Sequence, residues 1–422
     1  MKSEKLAIDG GERAIRSELP KMYPGGMRIG SEEESAVIEV LRSKRLYRFY
    51  GPHLGPSKVD EFEAAFAGVM GSKYALAVSS GSAALMCGLA ALGVGPGDEV
   101  VIPAYTWIAT AEAVMAVGGV PVFAEVDDSL MVDPLDVEKK ITPATKAIIP
   151  VHMRGLPCPM DRLVNTARRH GIKVLEDVAQ ADGGSYKGKH LGTWGDIGAF
   201  SFQFNKIITA GEGGAVITDD FDLYKRAMMY HDVGGGRRLK IPQEEILPGI
   251  NVRMTEMQGA ILSVQLTRLE SLLADMRRNK RVLMNAVSES AEHCGAILTP
   301  CHDPEGDASV ALIFMLPTSE MARKTASALK AEGAPASVLF DPAVVDYHVY
   351  YHWAPVINQR VWSEKGGPWR WNPNEVTYSQ DMCPRTLSYL GRAVQVDVSP
   401  DLTDENLEEL ADAIQKVLSQ VN

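Results

Sequence analysis

From residue 73 the chain alternates between short apolar runs and longer segments with helical periodicity. The runs KYALAV, DEVVIP, VPVFAEV, KAIIPV, KVLED, GAFSF and GAVIT have strand length. Between several of them, AALMCGLAALG, IATAEAVMAVGG and MDRLVNTARRHG repeat their apolar positions every three to four residues. Strands that are apolar nearly throughout belong to a sheet buried on both faces, which is the habit of parallel sheets covered by helices. The pattern predicts an α/β large domain with a mostly parallel sheet, whose ligands lie beyond the carboxyl ends of the strands.

From Met254 the run MTEMQGAILSVQLTRLESLLADMRRNKRVLMNAV keeps a helical period with no glycine or proline after Gly259. It predicts one long helix that leads out of the first domain. Beyond it, ALIFML, SEMARKTASALKAEG, ASVLF and NLEELADAIQKVLSQ suggest a smaller α+β domain. A length of 422 residues exceeds what one core usually serves, which also favours two domains. The expected division is an N-terminal segment at 1–30, a large domain at 31–265 and a small C-terminal domain at 266–422. Residues 341–384 hold Trp353, Trp362, Trp369 and Trp371 and follow no period. They are expected to form a structured loop region lining a pocket.

Composition narrows the function classes. With 45% hydrophobic and 23% charged residues the chain is globular rather than disordered. A net charge of -11 argues against a nucleic-acid surface, although a local anion pocket stays open. No window has the length and apolarity of a membrane span, and MKSEKLAIDGGERAIR lacks the apolar run of a signal peptide. Cys87, Cys158, Cys294, Cys301 and Cys383 are scattered and odd in number, so neither a disulfide framework nor a zinc site is expected. A cytoplasmic setting follows from these readings.

Four segments carry candidate chemistry. In VLEDVAQADG, Asp177 closes a strand, either as an ordinary strand-end acid or as a partner for a cationic ring nitrogen. In AVSSGSAALMCGL a small-residue turn opens a helix near Ser82, which is either a plain cap or an anion site built on free amides. Tyr105 and Trp107 follow the strand VVIP and either cap the core or stack on a planar heterocycle. In SFQFNKIITAGEGG, Lys206 is either a snorkelling surface lysine or a nucleophile at the end of the sheet. Together they meet the needs of pyridoxal phosphate, which requires a lysine, an acid for its ring nitrogen and a phosphate cup.

SGSAAL, PAYTWIATAEAV, EDVAQADGG, SFQFNKIITAGEGGAVIT and GINVRMTEMQGAI together resemble the DegT/DnrJ/EryC1/StrS family of pyridoxal-phosphate aminotransferases. The resemblance spans roughly residues 7 to 290. It implies the fold type I architecture and transfer of an amino group from L-glutamine or L-glutamate to a keto-sugar or keto-cyclitol. It makes Lys206 the lysine that binds the cofactor and shuttles the proton, and Asp177 the partner of the ring nitrogen. Gln180 would lie by the cofactor's phenolic oxygen, Trp107 on its ring, and Gly81, Ser82, Ala83 and Ser201 around its phosphate. Asn251 would complete that cup from a neighbouring subunit, so a homodimer with shared sites is implied.

Gln203 and the opening LAIDGGERAIR resemble the branch acting on scyllo-inosose-type cyclitols. HDVGGGRRLKIPQEEILPG and GGPWRWNPNEVTYSQ depart from the family pattern, and Arg237 and Arg238 are candidates for contacts at the pocket mouth. Another pyridoxal-phosphate reaction (elimination, decarboxylation or epimerisation) and a non-catalytic cofactor-binding sensor are the rival readings. His348 and His352 are read as packing or substrate-contacting residues rather than as metal ligands, and no metal is expected.

Overall fold

In the computed structural model, residues 5–49 and 55–421 are described; the first four residues of the expected N-terminal segment lie outside them. Among the described residues thirteen strands form three sheets. In the first half are β1 (Tyr74–Val78), β2 (Glu99–Pro103), β3 (Val120–Ala124), β4 (Thr145–Ile148) and β5 (Lys173–Asp177). A two-residue hairpin, β6 (Ser185–Tyr186) and β7 (Lys189–His190), follows, then β8 (Ile197–Ser201) and β9 (Gly214–Thr218). The last four are β10 (Ile297–Leu298), β11 (Ala311–Met315), β12 (Ala336–Val338) and β13 (Ala393–Asp397).

The large sheet runs in the order β1-β9-β8-β5-β4-β2-β3. Only β9 runs against the others, pairing antiparallel with both β1 and β8. β2, β5 and β8 are buried at nearly every position, as their apolar sequences require. All strands except β9 point their carboxyl ends to one edge. Asp177, Ser201, the turn after Val78 and the turn after Pro103 therefore converge there.

The helix Glu256–His293 runs for 38 residues, opened by a capping box between Thr255 and Gln258. Its side chains from Leu262 to Met276 pack in the core of the large sheet, and those from Leu283 to Ala291 pack in a second core. That second core covers the antiparallel sheet β10-β11-β13-β12 together with the helices Ser319–Glu332 and Asp404–Leu418. Glu125, just past β3, accepts the Thr386 N–H and hydroxyl at 2.7 and 2.6 Å and so ties the helix Pro384–Arg392 to the large sheet.

The Trp-rich stretch departs from expectation. Trp353 is a core residue set edge-on to Phe123, and Trp369 donates to the Tyr378 hydroxyl at 2.9 Å. Tyr378 in turn donates to the Pro121 carbonyl, while Asn372 and Asn374 reach Gly97 and Glu99. Those partners stand at the amino-terminal ends of β2 and β3, so residues 369–378 cover the outer edge of the sheet rather than the site. An uncovered edge strand would leave a row of unpaired backbone groups. From this region residues 347–350 reach the other end, where the Tyr347 and His348 carbonyls accept the Ile108 and Thr106 N–H groups and the Tyr350 N–H donates to Ala104.

Candidate active site

The two adjacent acids that close β5 point to opposite faces, because side chains alternate along a strand. Glu176 is fully buried and accepts backbone N–H groups from Gly192, Trp194 and Gly195 at 2.9, 2.6 and 2.7 Å. His152 stands 3.3 Å from it through Nε2. Because His152 Nδ1 accepts the Cys158 N–H, its ring proton sits on Nε2 and is donated to Glu176. Glu176 is thereby spent on holding the loop before β8.

Asp177 keeps its capacity for a further partner. Its carboxylate accepts the Thr110 hydroxyl at 2.9 Å and the Ala179 N–H at 3.1 Å. Burial pushes its pKa up, against the pull of those two bonds and of Lys206 and His152. A cation placed against it would relieve the cost of burying that charge.

Lys206 sits in the loop that joins β8 to β9. The loop folds back on itself through Phe202 N–H to Gly213, Phe204 N–H to Gly211 and Ala210 N–H to Phe202. Gly211 and Gly213 take φ values of +81 and +155, which side-chain-bearing residues rarely adopt. Burial pushes the Lys206 amine below the usual lysine range; Asp182 and then Asp177 pull it back up, and Arg154 adds to the depression. Asp182 lies just past β5 with both carboxylate oxygens buried and without a hydrogen-bond partner among the described residues. Burial pushes its pKa well above the usual carboxylate range.

The turn after β1 opens a helix at the same edge. Ser80 caps the helix Gly81–Leu92, its hydroxyl accepting the Ala83 N–H at 3.1 Å and its carbonyl the Ala84 N–H. The amides of Gly81 and Ser82 are then the free donors of the first turn. A Cβ on Gly81 would stand 2.6 Å from Ser201 Cβ, so the glycine is what lets the Ser201 hydroxyl close on this helix end.

Tyr105 and Trp107 differ in burial. Tyr105 is 1% exposed and belongs to the core, whereas Trp107 is 45% exposed with its ring 4.8 Å from that of His348. Gln180 accepts the Arg154 N–H at 3.0 Å through its amide oxygen, which leaves its NH₂ group to face outward as a donor. Gln203 accepts the Asn205 N–H and shapes the lysine loop.

A cavity of about 230 Å³ opens beside Lys206. Its walls come from Met22 and Tyr23 of the N-terminal segment, Arg154 and Gln180, His348, and Gln395 and Asp397 of β13. His348 is held by Asp346 at 2.8 Å, whereas His352 packs against Phe340 and Tyr351. Gln395 and Asp397 escaped the sequence reading although AVQVDV alternates cleanly, its valines entering the second core and its polar residues the cavity. Asn251 is exposed, on a loop tied to the end of β1 by the Ser79 N–H to Val252 bond, and does not line this cavity. Arg238 is engaged by Asp232, the Tyr47 hydroxyl and the Phe49 ring, and neither it nor Arg237 lines the cavity.

A profile of the DegT/DnrJ/EryC1/StrS aminotransferase family matches residues 27–415. The chain belongs to this family. It is 40% identical over 268 residues to GDP-perosamine synthase of Caulobacter vibrioides, covering 62% of this chain and 69% of that one. It is 39% identical over 295 residues to the L-glutamine:2-deoxy-scyllo-inosose aminotransferase of Streptomyces kanamyceticus, covering 67% of each. The crystal structure of 3-amino-5-hydroxybenzoic acid synthase superposes with a TM-score of 0.79 at 28% identity, over 96% of this chain and all of that one. As a member of the DegT/DnrJ/EryC1/StrS family the chain is a pyridoxal-phosphate-dependent aminotransferase of fold type I.

The residues present fit that cofactor. A buried acid lacking a cationic partner, a lysine amine of lowered basicity, two free helix amides beside a serine hydroxyl and an open indole face stand at one edge of one sheet.

Proposed function

We propose that this aminotransferase carries an amino group from L-glutamine or L-glutamate to the ketone of a sugar or cyclitol, in aminosugar or aminocyclitol biosynthesis. The observation that carries the reading is the make-up of the cavity wall beside Lys206. Gln395 presents a buried amide oxygen with no partner among the described residues, beside the Asp397 carboxylate and the His348 ring. Unpaired acceptors suit a ligand rich in hydroxyl donors, since each hydroxyl that arrives satisfies a group already desolvated.

When bound, the cofactor supplies an aldehyde that carries the amino group and a ring that accepts the electron pair left at a deprotonated carbon. Asp177 would hold the ring nitrogen protonated, Trp107 would cover one ring face, and the Gln180 NH₂ would donate to the phenolic oxygen. The amides of Gly81 and Ser82 and the Ser201 hydroxyl would hold the phosphate; Ala83, whose N–H serves the cap, would support that turn. Lys206 Nζ would hold the cofactor and, as a free amine, would take the proton from the donor's α-carbon. Burial lowers its basicity and so favours the neutral amine that can accept that proton. The same nitrogen returns a proton in the second half, so the kinetics are ping-pong.

Asn251 is assigned to the phosphate cup of a second subunit in a homodimer. Support comes from its exposure and from the exposed apolar side chains near it in sequence, Leu247, Ile250 and Met257. The division into a 31–265 cofactor unit and a 266–422 unit is part of the same reading, supported by the change of core along the long helix. The five unpaired cysteines support a reducing, cytoplasmic setting. No helix among the described residues is long and apolar enough to cross a membrane.

The test is an absorbance spectrum of the holoenzyme before and after L-glutamine or L-glutamate, without acceptor. Loss of the band of the lysine-bound cofactor and growth of the pyridoxamine band is the expected result. A band that neither amino acid alters would sink the donor assignment.

A further inference from the structure

Arg154 is a cationic cavity residue whose chemistry the reading above leaves unused. It follows β4 in the segment VHMRG and takes a left-handed backbone conformation, φ 53 and ψ 29, which residues other than glycine seldom adopt. Two backbone bonds frame that conformation: the Arg154 N–H donates to Gln180 Oε1 at 3.0 Å, and the Leu156 N–H donates to the Met153 carbonyl. An arginine held on disfavoured backbone at the wall of an active-site cavity points to use of its side chain.

The guanidinium makes one hydrogen bond among the described residues, from Nε to the Tyr105 hydroxyl at 3.4 Å. It forms no ion pair there, although Asp397 and Asp346 are close enough to act on it through space. Asp346 is taken by His348, and Asp397 accepts from Gln395 Nε2 at 3.3 Å. The two terminal nitrogens are neither bonded nor sealed in protein, and the cavity they border is the one Lys206 borders. A planar fork with two adjacent free nitrogens matches a carboxylate in bidentate geometry.

We propose that Arg154 is the carboxylate receptor of the active site and takes the α-carboxylate of the amino donor. An α-amino acid must place its nitrogen and α-hydrogen at the cofactor and at Lys206 Nζ. One anchor on its carboxylate, on the wall shared with Lys206, orients both. The inference deepens the donor assignment above and rests on it. A carboxylate on the ketone acceptor would share the same chemistry, and the test separates the two.

Arg154→Gln and Arg154→Lys holoenzymes are titrated by calorimetry with three unreactive probes. Glutaramate has the carbon skeleton and carboxylate of glutamine without the amino group, quinate is a polyol bearing a carboxylate, and myo-inositol is an uncharged polyol. The expected result is a loss of glutaramate affinity of about 10- to 100-fold in Arg154→Gln, the scale of a lost charge-assisted hydrogen bond. Arg154→Lys recovers part of it, and myo-inositol binding and the cofactor spectrum stay as in the parent. Unchanged glutaramate affinity in a folded Arg154→Gln variant overturns the proposal, as does a loss seen with quinate alone or one equally large for myo-inositol. If the parent binds glutaramate but no donor changes its spectrum, the donor reading fails while the carboxylate receptor stands.

Discussion

Asp182 offers a quantitative check on the electrostatics around the lysine. Both of its oxygens are buried without partners, and the charged groups acting on it are Lys206, which favours its ionised form, and Asp177, which opposes it. Its acid is raised in the folded protein, so above the ordinary carboxylate range the unfolded chain has released the proton while the folded chain still holds it. Stability is then greatest at low pH and falls as pH rises toward the folded value, by about 1.4 kcal/mol per unit for one proton. Asp182→Asn has the same shape and nothing to ionise, so it removes that slope.

The difference accumulates at that rate over every pH unit between the ordinary carboxylate range and the raised folded value. With roughly 2.1 cal/mol/K of unfolding entropy per residue over 422 residues, the melting midpoint of the variant gains about 1.5 °C on the parent for each such pH unit. The assay is differential scanning calorimetry of the cofactor-free protein at a series of pH values and a fixed scan rate, with Lys206 free. Melting curves of parent and variant that stay parallel across the series would refute the reasoning, because they would mean that Asp182 is ionised in the folded state throughout.

Replacing Asp177 by Asn leaves an amide oxygen for the Ala179 N–H and an NH₂ that the Thr110 hydroxyl can accept while donating to Thr106, but no charge for a ring nitrogen. Turnover is expected to fall about 100-fold with the melting midpoint little changed, measured as kcat beside a thermal scan. Glu176→Gln should do the opposite. It weakens the anchor of Gly192, Trp194 and Gly195 by about 2–3 kcal/mol, read as a lower midpoint in a holoenzyme whose donor affinity is kept. If Asn251 serves the partner's phosphate, Lys206→Ala and Asn251→Ala chains are each weak alone and recover one intact site per mixed dimer, up to half the activity of a parent dimer. Co-expression with two affinity tags measures it, and no recovery would place Asn251 in its own chain's site.

Most of the large sheet was legible because each of its strands is an apolar run of strand length bounded by turn residues. Lys206 and Asp177 stood out because they interrupt or end such runs with a charge. What stayed hidden depends on contacts distant in sequence. β13 has the alternation of a half-buried strand, yet nothing in AVQVDV says that its polar face meets Lys206 across the cavity. Arg154 lies in a short segment whose left-handed turn is fixed by Gln180, 26 residues away. The tryptophans drew attention by their rarity, and Trp353 and Trp369 serve packing at the far edge of the sheet instead.

The walls of the cavity have separate origins in the chain. The groups that would hold the cofactor stand at the ends of β1, β5 and β8, inside the most heavily buried part of the molecule. Those that face the other way come from an N-terminal segment around Tyr23, the approach to His348, and the outer face of a strand in the smaller sheet. Substitutions in those three places need not disturb the parallel sheet or the lysine loop. Descendants of such a chain can therefore change the molecule they accept in small independent steps while the transamination chemistry is inherited intact.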